Sequence, residues 1–337
     1  MLARVNDEPE VPASQRYTPM PSSLLGGKYE AVTPIGRGGM ASVWRGYTHG
    51  ESGFRRTVAI KRVLQHLHED DKFAAMFVEE ARIVADLNHP NIVQVHDFGR
   101  DREGGYFIIM EWVEGLNLFD YVRAFASVND APAWPLAVGI CIEALRALGA
   151  AHARTDSNGR PVPVIHRDVT PSNILVGVNG VVKLADFGLA RAMDRPRNTD
   201  PGIVKGKVAY LAPELFENAK PDPRCDLYSL GVVLWELLTG QRLFGKERSD
   251  VDTAMRILAG KIPLVTELRP ALPEALAMIV AQATARAARD RFQRAPEFVD
   301  ALTALLRKHP QPTDATALAR SVRVANTLLA KITSSGT

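Results

Sequence analysis

Cysteine is scarce in this chain: Cys141 and Cys225 are the only two among 337 residues. They lie far apart and show neither metal-ligand nor redox spacing. That excludes a disulfide framework and leaves two buried free thiols expected in a reducing compartment. An excess of one charge is missing as well, since 41 Lys and Arg against 38 Asp and Glu leave a net +3. No nucleic-acid or anionic-membrane surface is expected from that balance. The N-terminus carries Asp7, Glu8 and Glu10 among prolines and has no apolar signal-like run. The most apolar stretch, LAVGICIEALRALGAAHA at 136–153, is interrupted by Glu143 and Arg146. Its apolar positions recur at helical spacing, so it reads as a core helix rather than a membrane span. The expectation is a cytoplasmic protein, with a membrane anchor beyond Thr337 left open.

The remaining composition, 46% hydrophobic and 23% charged, is that of an ordinary globular chain able to bury one large core or two lobes. Residues 1–25 are rich in Pro, Ser and charge without periodicity and are expected to be disordered. From 26 to 111 the pattern is strand-rich: YEAVTPIG, ASVWRGY, RTVAIKRV, IVQVHDF and YFIIMEW are short β-branched or aromatic runs between turn residues. One helix is predicted among them at 71–87, with Phe73, Phe77, Ile83, Val84 and Leu87 on one face. From 112 to 308 helices dominate, predicted at 118–126, 135–153, 224–240, 250–260 and 273–285 around a β-like patch, NILVGVNGVVKLADFG. The expected fold class is α+β: a small strand-rich lobe, then a larger helical lobe, with a cleft between them. The tail, 309–337, places Leu318, Val322, Ala325, Leu329 and Ile332 on one face of an amphipathic helix capped by Thr313 or Asp314. That helix is expected to pack back on the helical lobe; a partner helix is the alternative.

Several short motifs carry chemistry. IGRGGMASV (35–43) is a Gly-rich turn between strands, where missing Cβ atoms let backbone amides approach phosphate oxygens. VAIK places Lys61 on the strand behind it, and Glu80 in the following helix is a carboxylate able to hold that ammonium against nucleotide phosphates. HRDVTPSN (166–173) and DFG (186–188) supply Asn173 and Asp186, oxygen ligands of the kind Mg²⁺ prefers, and Asp168, which can accept the hydrogen bond of an incoming hydroxyl. APE (212–214) and ARDRFQRA, with Arg291, follow.

In this order the motifs resemble the protein kinase family over roughly residues 29–306. The GRGGMA opening is most similar to bacterial, eukaryotic-like Ser/Thr kinases. The resemblance implies a two-lobed kinase fold that transfers the γ-phosphoryl of ATP to Ser or Thr of unidentified protein substrates, with autophosphorylation, using Mg²⁺ or Mn²⁺. A pseudokinase or nucleotide-binding scaffold is the alternative. It implies an ion pair of Lys61 with Glu80, Asp168 as catalytic base, and Asn173 and Asp186 as metal ligands. Ile35, Gly36, Gly38, Gly39, Val43, Ala59, Asn117 and Leu175 would line the nucleotide. Met110 would be the gatekeeper, and Glu111 and Val113 would offer backbone bonds to adenine. Glu214 and Arg291 would form a structural pair, Asp226 would anchor the catalytic loop, and His166, Phe187, Val84 and Val95 would stack as a spine. Arg167 would receive a phosphate on Thr199.

Two departures stand out. RTDSNGRPVP (154–163) is longer than the family's usual turn and reads as an exposed loop. Thr170 occupies the place of the loop lysine of Ser/Thr kinases. The threonine expected before APE is in turn replaced by Lys207, in GKVAYLAPE. The sequence exchanges the pair, and Lys207 is expected to supply the charge missing at 170.

Overall fold

The computed structural model describes residues 24–334, apart from 39–40, 65–70, 188–207, 218, 246, 248 and 310, and apart from the side chains of 71–74, 76, 80, 333 and 334. The chain divides into two compact units. One comprises residues up to 75 with 95–112, the other 76–94 with 113 onward.

In the first unit β1 (Tyr29–Arg37), β2 (Ala41–His49), β3 (Arg55–Val63), β4 (Val95–Arg100) and β5 (Tyr106–Glu111) form an antiparallel sheet in the order β1-β2-β3-β5-β4. Trp44, Ile60 and Ile109 stand in register on three neighbouring strands. With Leu25, Tyr29, Val58 and Phe107 they build this unit's buried cluster. Side chains alternate across a pleated sheet, so the register that sends Ile60 into the cluster turns Val43, Ala59, Lys61 and Met110 to the opposite face. The β4–β5 turn is tied down by Asp101. Its Oδ1 accepts from the amides of Glu103 at 2.9 Å and Gly105 at 2.8 Å. Its Oδ2 accepts from Nε of the buried Arg62 at 2.7 Å.

The division falls inside α1 (Asp71–Ala85). The second unit carries a small sheet of β6 (Gly115–Asn117), β7 (Ile174–Gly177) and β8 (Val182–Leu184), and the helices α2 (Leu118–Ala126), α3 (Trp134–His152), α4 (Pro213–Phe216), α5 (Pro223–Thr239), α6 (Asp250–Ala259), α7 (Val265–Leu268), α8 (Glu274–Ala283), α9 (Ala295–Lys308) and α10 (Ala315–Ser334). At the centre lies α5, buried at every position from Cys225 to Thr239, with its polar side chains Asp226, Ser229 and Glu236 each hydrogen-bonded. Its ends follow from local chemistry. Asp222 caps the N-terminus by accepting from the Arg224 amide at 2.8 Å, Pro223 opens the first turn, and Gly240 closes it at φ 68°. Long and apolar enough to cross a membrane by composition, α3 instead packs against α5 and α9, with Ile140, Cys141, Leu145 and Leu148 fully buried.

The strand-rich unit followed by a helical one is the α+β, two-lobed kinase fold expected from the sequence. Two elements differ from expectation. The strand read from Ile92 begins at Val95, because Ile92 instead makes a parallel bridge to Leu184, both within the second unit. Helix α9 was not predicted, although Ala295, Phe298, Leu302 and Leu305 bury one helical face behind Pro296. The tail forms α10, whose first turn is capped by Asp314 through the Ala317 amide at 2.8 Å.

Candidate active site

The HRDVTPSN segment is held from below by one carboxylate. Asp226, buried on α5, accepts from the backbone amides of His166 and Arg167, each at 2.8 Å, and from Nε2 of His152 at 2.8 Å. Burial alone would push its carboxyl up. The His152 and His166 interactions outweigh that and hold it below the usual carboxylate range. The anchored backbone is bent: Arg167 sits at φ 63° and Asp186 at φ 60°, a region side-chain-bearing residues seldom enter. Strain of this kind persists where surrounding bonds fix it, commonly at functional sites.

Above the anchor the polar groups converge. Asn173 donates through Nδ2 to Asp168, reaching its carbonyl at 2.8 Å and its Oδ2 at 2.9 Å. His166 donates from Nε2 to the Ala185 carbonyl at 2.9 Å, and its Nδ1 accepts from the Asp168 amide at 3.2 Å. Its ring lies 4.5 Å from that of Phe187. The Ala185 amide donates to the Asn173 carbonyl at 2.8 Å. Asp168 and Asn173 are thus joined directly, and His166 and Asn173 each bond to Ala185, the residue before Asp186. With its amide nitrogen engaged by Asp168, Asn173 presents Oδ1 as its acceptor. That oxygen and the Asp186 carboxylate are hard donors that fit Mg²⁺. Thr170 is buried, and its carbonyl accepts from the Asn173 amide at 3.0 Å.

The first unit carries a separate set of the residues singled out in the sequence. Val43 stands opposite Lys61, and Ala59 opposite Met110, on the sheet face turned away from the cluster. Lys61 is buried, Gly36 pairs with Val43, and the Gly38 amide donates to the Ala41 carbonyl at 2.8 Å across the turn. Ile35 is exposed. Glu111 ends β5, and Val95 begins β4. In the second unit Val113 precedes β6, and Asn117 on β6 pairs with Leu175 on β7. The Asn117 side chain caps α2 by accepting from the Asp120 amide at 2.8 Å. Val84 is half-buried at the end of α1. Glu80 lies in α1 with its side chain outside the described residues, as are Gly39, Thr199 and Lys207.

Glu214 and Arg291 meet in a bidentate pair at 2.8 and 2.7 Å. The buried guanidinium also donates to the carbonyls of Ala285 and Arg286, which satisfies a charge that burial would otherwise make costly. His152 was missed in the sequence. A histidine closing a largely apolar helix was its only signal, and its partner lies 74 residues away. Burial pushes the thiols of Cys141 and Cys225 up, so neither is a ready nucleophile.

The chain matches the protein kinase domain family over residues 29–312. It is 40% identical over 283 residues to the tyrosine-protein kinase MasK of Myxococcus xanthus, covering 84% of this chain and 44% of that protein. It is 34% identical over 274 residues to the serine/threonine-protein kinase PrkC of Bacillus subtilis, covering 81% of this chain and 40% of that protein. The crystal structure of the Mycobacterium tuberculosis PknI kinase domain aligns with a TM-score of 0.62 at 26% identity, over 85% of this chain and 99% of that one. The chain thus spans less than half the length of these two curated relatives. By its motifs, its two units and these likenesses, it belongs to the protein kinase family.

Proposed function

We propose that the chain is an active protein kinase that transfers the γ-phosphoryl of ATP to the hydroxyl of a protein side chain, Ser or Thr first. The observation that carries this reading is the Asp168 carboxylate held by Asn173 at 2.9 Å on a backbone anchored by Asp226. A scaffold without transfer activity would not require that carboxylate beside the two side chains read as metal ligands, Asn173 and Asp186. In this reading Asp168 accepts the hydrogen bond of the incoming hydroxyl and orients it for in-line attack. Lys61 holds the nucleotide phosphates, paired with Glu80, and Asn173 and Asp186 hold the metal. Bound Mg²⁺ would supply neutralising charge to the phosphates. The Gly-rich turn, Val43, Ala59, Met110 and the backbone of Glu111 and Val113 receive the nucleotide with Asn117 and Leu175.

Lys207 supplies the cation that Thr170 leaves out, and Arg167 receives a phosphate on Thr199, because a guanidinium pairs bidentately with phosphate. Tyrosine as acceptor is the second reading. It is favoured by the name of the 40% identical relative and by the absence of lysine at position 170. Incubation of the purified chain with labelled ATP and Mg²⁺, followed by mass spectrometric identification of the modified residues, tests both. Phosphoserine and phosphothreonine support the first, phosphotyrosine the second, and no incorporation rejects the kinase reading.

A further inference from the structure

Helix α10 begins where the family match ends, since the match covers 29–312 and the helix Ala315–Ser334. It is nevertheless built into the helical unit. Leu318, Val322 and Ala325 are buried, the last two completely, and Leu328 and Leu329 pack on the same core. The surfaces beneath them are α2, β6 and β7. At its start the Ala315 carbonyl comes so near the β7–β8 turn that a Cβ on Gly180 would lie 1.9 Å from it, a clash only glycine avoids. At its first third Ser321 Oγ hydrogen-bonds the Tyr121 hydroxyl at 2.6 Å. Tyr121 is wholly buried on α2, and burial pushes its phenol up to about 12 against the opposing pull of Ser321. A buried hydroxyl needs a partner, and α10 provides this one.

What α10 covers is the part of the second unit that the kinase reading assigns to the nucleotide. Asn117 sits on β6, pairs across the ladder with Leu175 on β7, and caps α2. A displacement of α2 therefore moves Asn117, and through the ladder Leu175. We propose that α10 is a brace that sets nucleotide affinity, with Tyr121 and Ser321 as positioning residues. The inference rests on the kinase reading and adds to it a helix outside the family's span.

The test uses the full chain, titrated with MgADP and assayed with MgATP. Ser321→Ala leaves the buried Tyr121 hydroxyl without a partner and should raise the MgADP Kd by about threefold to tenfold, while Tyr121→Phe removes the hydroxyl itself and should do less. Ser321→Thr, which keeps the hydroxyl, should restore wild-type affinity. Val322→Asp places a charge in the buried seam and should raise Kd and KM for ATP by about tenfold or more. In all of them kcat at saturating ATP and hydrogen-exchange protection of α3 and α5 should stay at wild-type level. Unchanged Kd in both Ser321→Ala and Val322→Asp overturns the brace. If Val322→Asp unfolds the lobe, seen as lost protection in α3 and α5, Ser321→Ala and its threonine rescue decide alone. A wild-type chain that binds no MgADP overturns the kinase reading and this inference together, whereas binding that the variants leave unchanged overturns only the inference.

Discussion

At the scale of single residues, each unit carries its own set of the groups that the kinase reading uses. Lys61 is buried on a sheet face that carries Val43, Ala59 and Met110, and Asp186 is fixed at positive φ beside the Asn173–Asp168 network. If Lys61 holds the phosphates and Asp186 the metal, Lys61→Met and Asp186→Ala should each lower phosphoryl transfer by roughly 10²-fold or more. Circular dichroism should show the fold retained. Full autophosphorylation in either variant would contradict the assignment. The exchange at 170 and 207 makes a sharper claim. If Lys207 supplies the charge that Thr170 leaves out, Lys207→Ala should lower kcat more than it raises KM for ATP, since such a charge would matter most as the phosphoryl group moves. The double variant Thr170→Lys, Lys207→Thr should recover part of what either single change loses, as expected of residues in one network. Additive losses in the double-mutant cycle would separate the two positions.

At the scale of elements, the catalytic loop depends on α5 for its shape. Asp226 accepts from two loop amides and from His152, with a longer contact from the Cys225 thiol. Its folded-state pKa lies below the ordinary value. The stabilisation is therefore complete above the unfolded carboxylate range, near about 3.9, and is lost as pH falls through the depressed folded value. Asp226→Asn should cost about 1.5–3 kcal/mol at neutral pH, the range for hydrogen bonds to a charged group. The gap in unfolding free energy from wild type should narrow as pH falls through the acid range. A gap independent of pH from 7 to 3 would mean that the carboxylate charge is not what holds the loop. The segment between DFG and APE gives another prediction at this scale. Thr199 is its only hydroxyl between Leu189 and Gly206, so Thr199→Ala should remove the main phosphate on that segment and lower activity. Full activity in that variant would show that the switch is not used.

Elements also show what the sequence made legible. Period-two runs located the five strands of the first unit, and helical periodicity located α2, α3, α5, α6 and α8 to within one or two residues. Local signals explain this, because Asn117, Asp222 and Gly240 punctuate helices through bonds to their own neighbours. Where a residue's fate is set by a distant partner, local pattern failed. Ile92 looks like strand but bridges Leu184, 92 residues on. His152 looks like the end of an apolar helix but serves Asp226, 74 residues on. Motif order singled out Asp168, Asn173 and Asp186. The bonds between Asn173 and Asp168 follow from a backbone conformation that composition does not encode.

At the scale of the molecule, the two units are unequal in what holds them. The first unit's buried cluster consists of Leu25, Tyr29, Trp44, Val58, Ile60, Phe107 and Ile109. The second is built round α5 with a far larger cluster that runs from Leu87 to Ala325. Burial per residue falls as a folded unit shrinks, so local opening should be easiest in the first unit. Hydrogen exchange should show β1 to β5 losing protection at a lower urea concentration than α3 and α5. Fluorescence from Trp44 alone should report the earlier transition, and from Trp235 alone the later one, since each is buried in its own unit. Nucleotide separates the kinase reading from simple instability. If Lys61 and the Gly-rich turn bind MgATP, ligand at a hundredfold excess over Kd stabilises the folded state by about 2.7 kcal/mol. If the first unit opens first, the Trp44 transition should move most and close on that of Trp235. Coincident transitions without nucleotide would show a single cooperative unit, and a Trp44 transition that MgATP leaves in place would place the nucleotide's contacts elsewhere.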